Sequence, residues 1–276
     1  IYVIFWAFGI CSFDPKTFIK SFLPIAFKKW WFASTYFVLY IIHPFLNVLL
    51  RNVNKKTYQA LLVMLVIMWS VIPTFTTLSY QSSNLLWFIV LYAIAGYIRL
   101  FGLNSLFTTK HYFWFWFTFS FLTYASCVVF TFLGTKWEVF ANYSAYFYGQ
   151  EKLTVLLISL SLFMLFKTVK MNNHKWINVI ASATFGVYLI HDNNLVRSFL
   201  WRDLFKNSQY QSTLLIIPYS IIIVALVYAV CTAIDLIRQK VFEKPFMLLV
   251  NKYTDMVLKP FDAICSFFKK IVFGQE

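Results

Sequence analysis

The residues best suited to chemistry close one apolar segment of the chain. His191 and Asp192 end the run 182–194, which reads SATFGVYLIHDNN. An imidazole beside a carboxylate at the mouth of a cavity can take a proton from a substrate hydroxyl, which is general base catalysis. Adjacent residues project from different sides of a helix, so Asp192 need not orient His191. The alternative interpretation is a helix end whose polar side chains cap carbonyls and meet water.

Three further ionisable residues fall inside or beside apolar segments: His43, Arg99 and Asp235. A charge at mid-membrane costs roughly 2.5–3.5 kcal/mol on insertion scales, so such a residue needs a partner or a role. Pro44 leaves one carbonyl of the preceding turn without its N–H partner, and His43 or other polar groups nearby can bond it. A functional role for His43 is equally compatible with the pattern. For Arg99 and Asp235, at segment ends, contact with headgroups and with water is expected.

The sequence shows no pattern typical of a metal centre or of a phosphate-binding glycine loop. Its four cysteines, Cys11, Cys127, Cys231 and Cys265, include no pair with metal-ligand spacing, and three lie in apolar runs. We interpret them as small buried residues rather than as disulfides or zinc ligands. We therefore predict no metal and no tightly bound cofactor.

The elements that must position these residues are membrane-spanning helices. Of the 276 residues, 61% are apolar and only 12% are charged. No Asp, Glu, Lys or Arg occurs in 30–50, 57–98, 111–135 or 207–234. A helix needs roughly 20 apolar residues to cross about 30 Å of hydrocarbon. The pattern predicts an all-α, polytopic transmembrane helix bundle.

We predict about seven full spans, at 30–50, 58–77, 85–100, 112–133, 153–166, 176–190 and 214–236. The fifth and sixth, at about 15 residues each, are short for lipid-facing helices, so they lie inside the bundle, extend through polar neighbours or line a wet cavity. The stretch 1–11 would be about 16 Å long as a helix, half a membrane. We interpret it as the end of a partial first helix and the chain as a fragment.

Ser182 and Gly186 in the sixth span are four residues apart. Two small residues at this spacing favour close helix packing. Gly186 could equally make room for a ligand.

The formal net charge of +14 comes from Lys and Arg in short loops between apolar blocks. This placement is typical of contact with anionic lipid and disfavours nucleic acid as a partner. About 15 Lys and Arg lie on the side of the C-terminal tail and about 9 on the other, which predicts a cytoplasmic C-terminus. We predict one membrane domain, 1–237, followed by a basic amphipathic tail, 238–276, on the membrane surface.

Four segments, in order, resemble the acyltransferase-3 family of membrane-bound O-acyltransferases. They are KWWFASTYFVLY at 29–40, continuing to PFLN at 44–47, then AGYIR at 95–99, TFGVYLIH at 184–191 and IDLIRQ at 234–239. The resemblance implies transfer of an acetyl group, usually from acetyl-CoA, to a hydroxyl of a cell-envelope glycan. It implies an enzyme in the cell membrane whose partners are lipid, an acyl donor and the glycan acceptor.

The resemblance also implies roles for particular residues. The family's principal catalytic histidine and its Arg-x-x-Arg-type motif would lie upstream of residue 1. His43 stands where the family pattern has a small residue such as Ser. We predict His191 and Asp192 as catalytic residues here. The candidates for lining the substrate cavity are Trp31, Tyr36, Tyr40, Asn47, Arg99, Gly186 and Tyr188.

Two other hypotheses remain open at this point. A transporter or flippase for lipid-linked sugar would show buried charge pairs along a pathway or an inverted repeat. The charge-free spans and the lack of a visible repeat argue against it. An inactive acyltransferase fragment is the other alternative.

Overall fold

The computed structural model of the protein describes residues 1–80, 83–102, 107–210, 213, 215–254 and 266. It is 79% helical, and no strand occurs among these residues. Six helices of the described chain are long and apolar enough to cross a membrane. The prediction of an all-α polytopic membrane protein is therefore confirmed.

The principal α-helices follow one another along the whole chain. In order they are α1 Tyr2–Ala7, α2 Pro15–Phe22, α3 Trp31–Arg51, α4 Lys55–Val66, α5 Ile72–Phe75, α6 Asn84–Phe101, α7 Thr109–Gly134, α8 Glu138–Ala141, α9 Leu153–Thr168, α10 Lys175–His191, α11 Asn194–Ser198 and α12 Ile216–Arg238. Short 3₁₀ segments lie at Tyr146–Tyr148 and Asn207–Tyr210, and π-helical segments at Ile67–Val71, Phe199–Leu204 and Gln239–Glu243.

The helices agree with the predicted spans to within a few residues, with two informative differences. The predicted short spans are longer than expected, at 16 residues for α9 and 17 for α10. The last span does not stop at Arg238, because the helix runs on through the π-helical segment Gln239–Glu243 to Thr254. Most of the predicted surface tail, including Pro260 and Cys265, lies outside the described residues.

Local chemistry explains several helix ends. The Asp14 carboxylate accepts hydrogen bonds from the backbone N–H groups of Lys16 and Thr17, at 3.2 and 2.9 Å, just before α2. Hydrogen bonds from the side chain and backbone of Thr17 lower the pKa of Asp14. Asn54 caps α4 in the same way, accepting from the Thr57 N–H at 2.9 Å. Each side chain satisfies an N–H that the first turn leaves unpaired.

The described chain forms two compact units. The first comprises Ile1–Leu23 and Asn173–Glu276, and the second comprises Pro24–Asn172. The predicted division into a domain at 1–237 and a tail at 238–276 follows a different boundary and stays a prediction. Three cysteines of the described chain, Cys11, Cys127 and Cys231, are free thiols.

Contacts within the second unit show which helix ends lie together. Near the start of both α3 and α6, Phe32 packs edge-to-face on Phe88, while toward their ends Leu50 packs in one cluster with Tyr97. Between these contacts the Tyr92 hydroxyl donates to Asn47 at 2.8 Å. These two helices are therefore parallel. The start of α7 meets the end of α9, where the Thr109 hydroxyl donates to the Thr168 carbonyl at 3.3 Å.

The AGYIR segment of α6 is a packing site. The Tyr58 side chain of α4 is completely buried against it, and its hydroxyl donates to the Ala93 carbonyl at 2.9 Å. A Cβ on Gly96 would lie 2.8 Å from the Tyr58 oxygen, so only glycine leaves room for it. The neighbouring Tyr97 hydroxyl accepts from the Gln59 side chain at 2.7 Å. The glycine and tyrosine of this motif thus join α4 to α6.

The proline within α3 has the side-chain partner that the sequence analysis anticipated. Pro44 lacks the N–H that would bond the Tyr40 carbonyl four residues earlier. His43 Nδ1 makes a short hydrogen bond to that same carbonyl oxygen. His43 therefore has a structural role in this helix.

Replacing Tyr58 with Phe removes a buried hydrogen bond while keeping the ring. We expect Tyr58→Phe to lower the free energy of unfolding by about 1 kcal/mol. The measurement is the thermal unfolding midpoint of the purified protein in detergent. Tyr124→Phe on α7, where the side chain is 61% exposed, is the matched control and should leave the midpoint unchanged. Equal midpoints for the two variants would contradict this role of the Tyr58 hydroxyl.

Candidate functional site

The polar centre of the first unit lies where α10 crosses α12. Val187 of α10 packs on Ile223, Val227 and Cys231 of α12 in an apolar cluster. One turn along α12 the apolar surface gives way to a carboxylate, Asp235, which lies against Gly186.

Gly186 makes this contact possible because it has no side chain. A Cβ added to Gly186 would lie 2.0 Å from the Asp235 Cγ and from one carboxylate oxygen. Heavy atoms that are not bonded cannot approach so closely, so any other residue would displace the carboxylate. The close packing expected from the spacing of Ser182 and Gly186 is therefore present at Gly186, and its partner is a polar side chain.

Asp235 is 1% exposed, which corrects the expectation that it meets water. One carboxylate oxygen accepts from Arg238 Nε at 2.7 Å and the other from Gln239 Nε2 at 2.8 Å. These donors lie three and four residues later on the same helical stretch, where side chains meet. Bonding both oxygens offsets part of the cost of burying a carboxylate in an apolar span.

The donors continue the network to neighbouring groups. Gln239 Nε2 also donates to the Ser182 carbonyl on α10 at 3.2 Å. Arg238 is half exposed, and its guanidinium also pairs with Glu243 at 2.8 Å. The network therefore joins the two helices through the amide of Gln239 and fixes the guanidinium of Arg238 between two carboxylates.

A cavity of about 290 Å³ lies at this network. It is lined by Ser182, Phe185, Gly186, Leu189, Asp235, Arg238, Gln239 and Glu243. Since both oxygens of Asp235 already accept hydrogen bonds, this carboxylate is suited to holding its donors in position. The half-exposed guanidinium of Arg238 is the group best able to bind an anionic or carbonyl oxygen.

Sequence reasoning did not place Asp235, Arg238 and Gln239 among the site residues. The sequence pattern that could have found them is the spacing within IDLIRQ, which puts a carboxylate, a guanidinium and an amide on one helix face. The residue that this face contacts is Gly186, the glycine of the sixth predicted span. Nothing in the sequence alone showed that the two would touch.

His191 and Asp192 lie at the C-terminal end of α10, a little more than one turn beyond Gly186, and different partners hold them. His191 Nδ1 donates to the Val187 carbonyl at 2.7 Å. Because a carbonyl oxygen only accepts, Nδ1 carries the proton, and Nε2 of the neutral ring keeps its lone pair. Asp192 pairs with Arg197 at 3.4 Å. The arrangement leaves His191 Nε2 as the possible base, and Asp192 does not orient the ring.

Tyr188 lies beside this histidine. Its ring meets the rings of Phe185 and His191, with centroids 6.1 and 6.5 Å away. Gly186, Tyr188, His191 and Asp192 thus share the C-terminal half of α10, although Gly186 faces Asp235.

The remaining cavity candidates belong to the second unit. The side chains of Trp31, Tyr36 and Tyr40 are exposed on α3. Asn47 accepts from the Tyr92 hydroxyl, and Arg99 is exposed at the end of α6. The expectation that they line one cavity with the α10 residues stays a prediction. Within the described residues, no cluster of three His, Cys, Asp or Glu side chains suits a metal ion.

Comparison with protein families gives one match. Residues 1–236 match the acyltransferase-3 family, described as an acyltransferase domain. The match covers most of the chain and includes three of the four segments on which the resemblance was based, together with the first three residues of the fourth, 234–236. The protein belongs to the acyltransferase-3 family, and its class is that of a multi-pass membrane acyltransferase. Comparisons with curated proteins and with solved structures gave no significant match.

The contact between Gly186 and Asp235 predicts the sign of a substitution. Ala is favoured over Gly in a helix by about 1 kcal/mol, so an uncrowded Gly186→Ala would stabilise the protein. Because the added methyl collides with Asp235, we expect a loss of about 1–3 kcal/mol instead. Thermal unfolding of the purified protein in detergent measures the difference.

Two backgrounds identify the cause. In Asp235→Ala the collision is gone, and Gly186→Ala should be neutral or stabilising. In Asp235→Asn the shape is kept without the charge, and Gly186→Ala should remain destabilising. The same effect of Gly186→Ala in all three backgrounds would rule out the contact as its cause.

Proposed function

We propose that the protein transfers an acetyl group from acetyl-CoA to a hydroxyl of a cell-envelope glycan. The observation that carries this proposal is membership of the acyltransferase-3 family over residues 1–236. The order of the four motifs agrees with that family's O-acetyltransferases. The reaction breaks the thioester of the donor and forms an ester on the sugar oxygen, while the hydroxyl proton passes to a base.

The geometry of His191 supports a part in that proton transfer. Its Nδ1 is bonded to the helix, so the ring is held in one tautomer with Nε2 available. A base must lie within hydrogen-bond reach of the proton that it takes, and His191 stands at a helix end rather than inside the span. We propose that Nε2 of His191 accepts the hydrogen bond of the acceptor hydroxyl, with Tyr188 packed beside it.

The polar network on α12 supports a second role. The Arg238 guanidinium, held by Asp235 and Glu243, borders a cavity and is half exposed. We propose that this guanidinium binds an oxygen of the donor or acceptor. Gly186 contributes by leaving room for the carboxylate of Asp235, which holds the guanidinium in position. In this proposal Asp192 forms the ion pair with Arg197 and takes no direct part in the proton transfer.

The charge distribution supports a location in the cell membrane with the C-terminus in the cytoplasm. The tail after residue 237 carries seven Lys and Arg, at 238, 240, 244, 252, 259, 269 and 270. Basic segments beside a span are retained on the cytoplasmic side. The proposed donor, acetyl-CoA, is then on the side of the tail.

Label transfer in membranes tests this function. Membranes that contain the protein are given labelled acetyl-CoA, and label is followed into the envelope glycan. Release of the label by mild alkali identifies an ester. No label in the glycan, with the protein present and folded, would refute acetyl transfer from this donor.

Two substitutions at His191 separate its bonding from its chemistry. His191→Asn can keep the donor to the Val187 carbonyl but lacks Nε2, whereas His191→Ala loses both. If Nε2 takes part in proton transfer, we expect both variants to lower the rate roughly a hundredfold.

His174→Ala is the matched control, because His174 is exposed at the opposite end of α10. It should leave the rate of label transfer unchanged. Full activity in His191→Asn would show that the imidazole has only a structural role.

A further inference from the structure

An apolar cavity of about 750 Å³ lies within the second unit. Its walls come from α4, α6, α7 and α9 and include Val66, Ile94, Phe119, Leu160 and Met164. Its volume falls within the range of small-molecule sites, about 300–1,000 Å³. Of its fifteen lining residues only Tyr97, Tyr112 and Ser161 carry a polar group, so the lining suits a hydrocarbon chain.

Seven of the eleven Lys and Arg of the second unit lie at one end of it. The C-terminal ends of α3, α6 and α9 and the N-terminal ends of α4 and α7 lie together there. We call this the basic end, and its seven cations are Arg51, Lys55, Lys56, Arg99, Lys110, Lys167 and Lys170.

No acidic residue of the second unit lies at the basic end. The sequence has no Asp or Glu between residues 15 and 137, and Pro24–Asn172 contains only Glu138 and Glu151. Glu138 begins α8 and Glu151 precedes α9, so both lie at the opposite end. All seven cations are exposed. The basic end therefore presents unopposed positive charge.

The cavity reaches this end of the unit. Ile98 borders it and is next to Arg99, while Tyr112 follows Lys110 by two residues and Met164 precedes Lys167 by three. At a rise of 1.5 Å per residue, Arg99, Lys110 and Lys167 each lie within about 5 Å of a cavity-lining residue along the helix axis. The apolar cavity therefore extends to the basic end, where these three cations lie close to its lining residues.

We propose that one acyl chain of an anionic phospholipid occupies this cavity, with its phosphate at the basic end. The charge of the basic end is complementary to the phosphate, and the cavity walls are complementary to the chain. The walls belong to helices that are long and apolar enough to span a membrane, and phospholipid chains surround such helices. This site is independent of the proposed acetyl transfer.

A pair of serines on α9 tests the occupancy of the cavity. Ser161 is buried and borders the cavity, whereas Ser159, half a turn earlier, is exposed and does not border it. The probes are dioleoyl phosphatidylglycerol and dioleoyl phosphatidylcholine, each added to the purified protein in detergent. Binding is followed by native mass spectrometry and by the shift of the thermal unfolding midpoint.

For the unmodified protein we expect one phosphatidylglycerol retained per chain and a raised midpoint, with a smaller effect of phosphatidylcholine. Ser161→Leu places a bulkier side chain inside the cavity, where the acyl chain would lie, and should abolish both effects, whereas Ser159→Leu should keep them. Leu157→Trp obstructs the same cavity from another position and serves if Ser161→Leu fails to fold. Retention of phosphatidylglycerol by the folded Ser161→Leu and Leu157→Trp variants would overturn the proposal.

A second set of variants tests the role of the charges. Arg99→Gln, Lys110→Gln and Lys167→Gln together should weaken phosphatidylglycerol binding about tenfold or more and leave phosphatidylcholine unaffected. The matched control combines Lys28→Gln, Lys29→Gln and Lys136→Gln at the opposite end. An equal loss in both triple variants would overturn the assignment of the phosphate to the basic end.

The acyl donor class is tested separately. Palmitoyl-CoA also combines an acyl chain with phosphates, and we expect it not to compete with phosphatidylglycerol for the cavity. Displacement of the lipid by a lower concentration of palmitoyl-CoA, abolished in Ser161→Leu, would identify the cavity as a donor site and overturn the lipid assignment.

Discussion

A carboxylate within an apolar helix must be bonded inside the protein, and in the first unit Asp235 meets this requirement through one missing side chain. Gly186 lets α10 approach until its backbone lies against the carboxylate. Arg238 and Gln239 then satisfy the two oxygens, and Gln239 extends the bonding to α10. The position of α10 on α12, and hence the surroundings of its motif, follows from this contact.

The same requirement is met at two prolines of the second unit. Because Pro44 has no N–H, the Tyr40 carbonyl lacks its helical partner, and the His43 ring bonds it instead. Within α5, the Pro73 carbonyl accepts from the buried Lys152 ammonium at 2.5 Å, and the Tyr146 ring lies 3.8 Å from that ammonium. Hydrocarbon offers no hydrogen bonds, so side chains must complete these carbonyls.

The middle of α10 at Gly186 and its C-terminal end at His191 differ in what remains available for chemistry. At Gly186, the carboxylate of Asp235 has both oxygens occupied and the guanidinium of Arg238 is positioned by its partners. At His191, ring nitrogen Nδ1 donates to the Val187 carbonyl of the same helix, and Nε2 makes no hydrogen bond to the helix. A bound anion or carbonyl suits the first arrangement, and a proton transfer suits the second.

The sequence by itself determined the helical class, the bounds of most spans and the family, because long charge-free runs and ordered motifs are properties of the chain. It also anticipated the pairing of His43 with the turn before Pro44, because that pairing is local. It placed Asp235 in water, whereas the side chain is buried. Only the tertiary structure decided that Gly186 admits Asp235, that Gly96 admits Tyr58, and that four apolar faces leave a cavity beside the basic end. These features depend on distances between helices far apart in the chain, and periodicity within one helix carries no information about them.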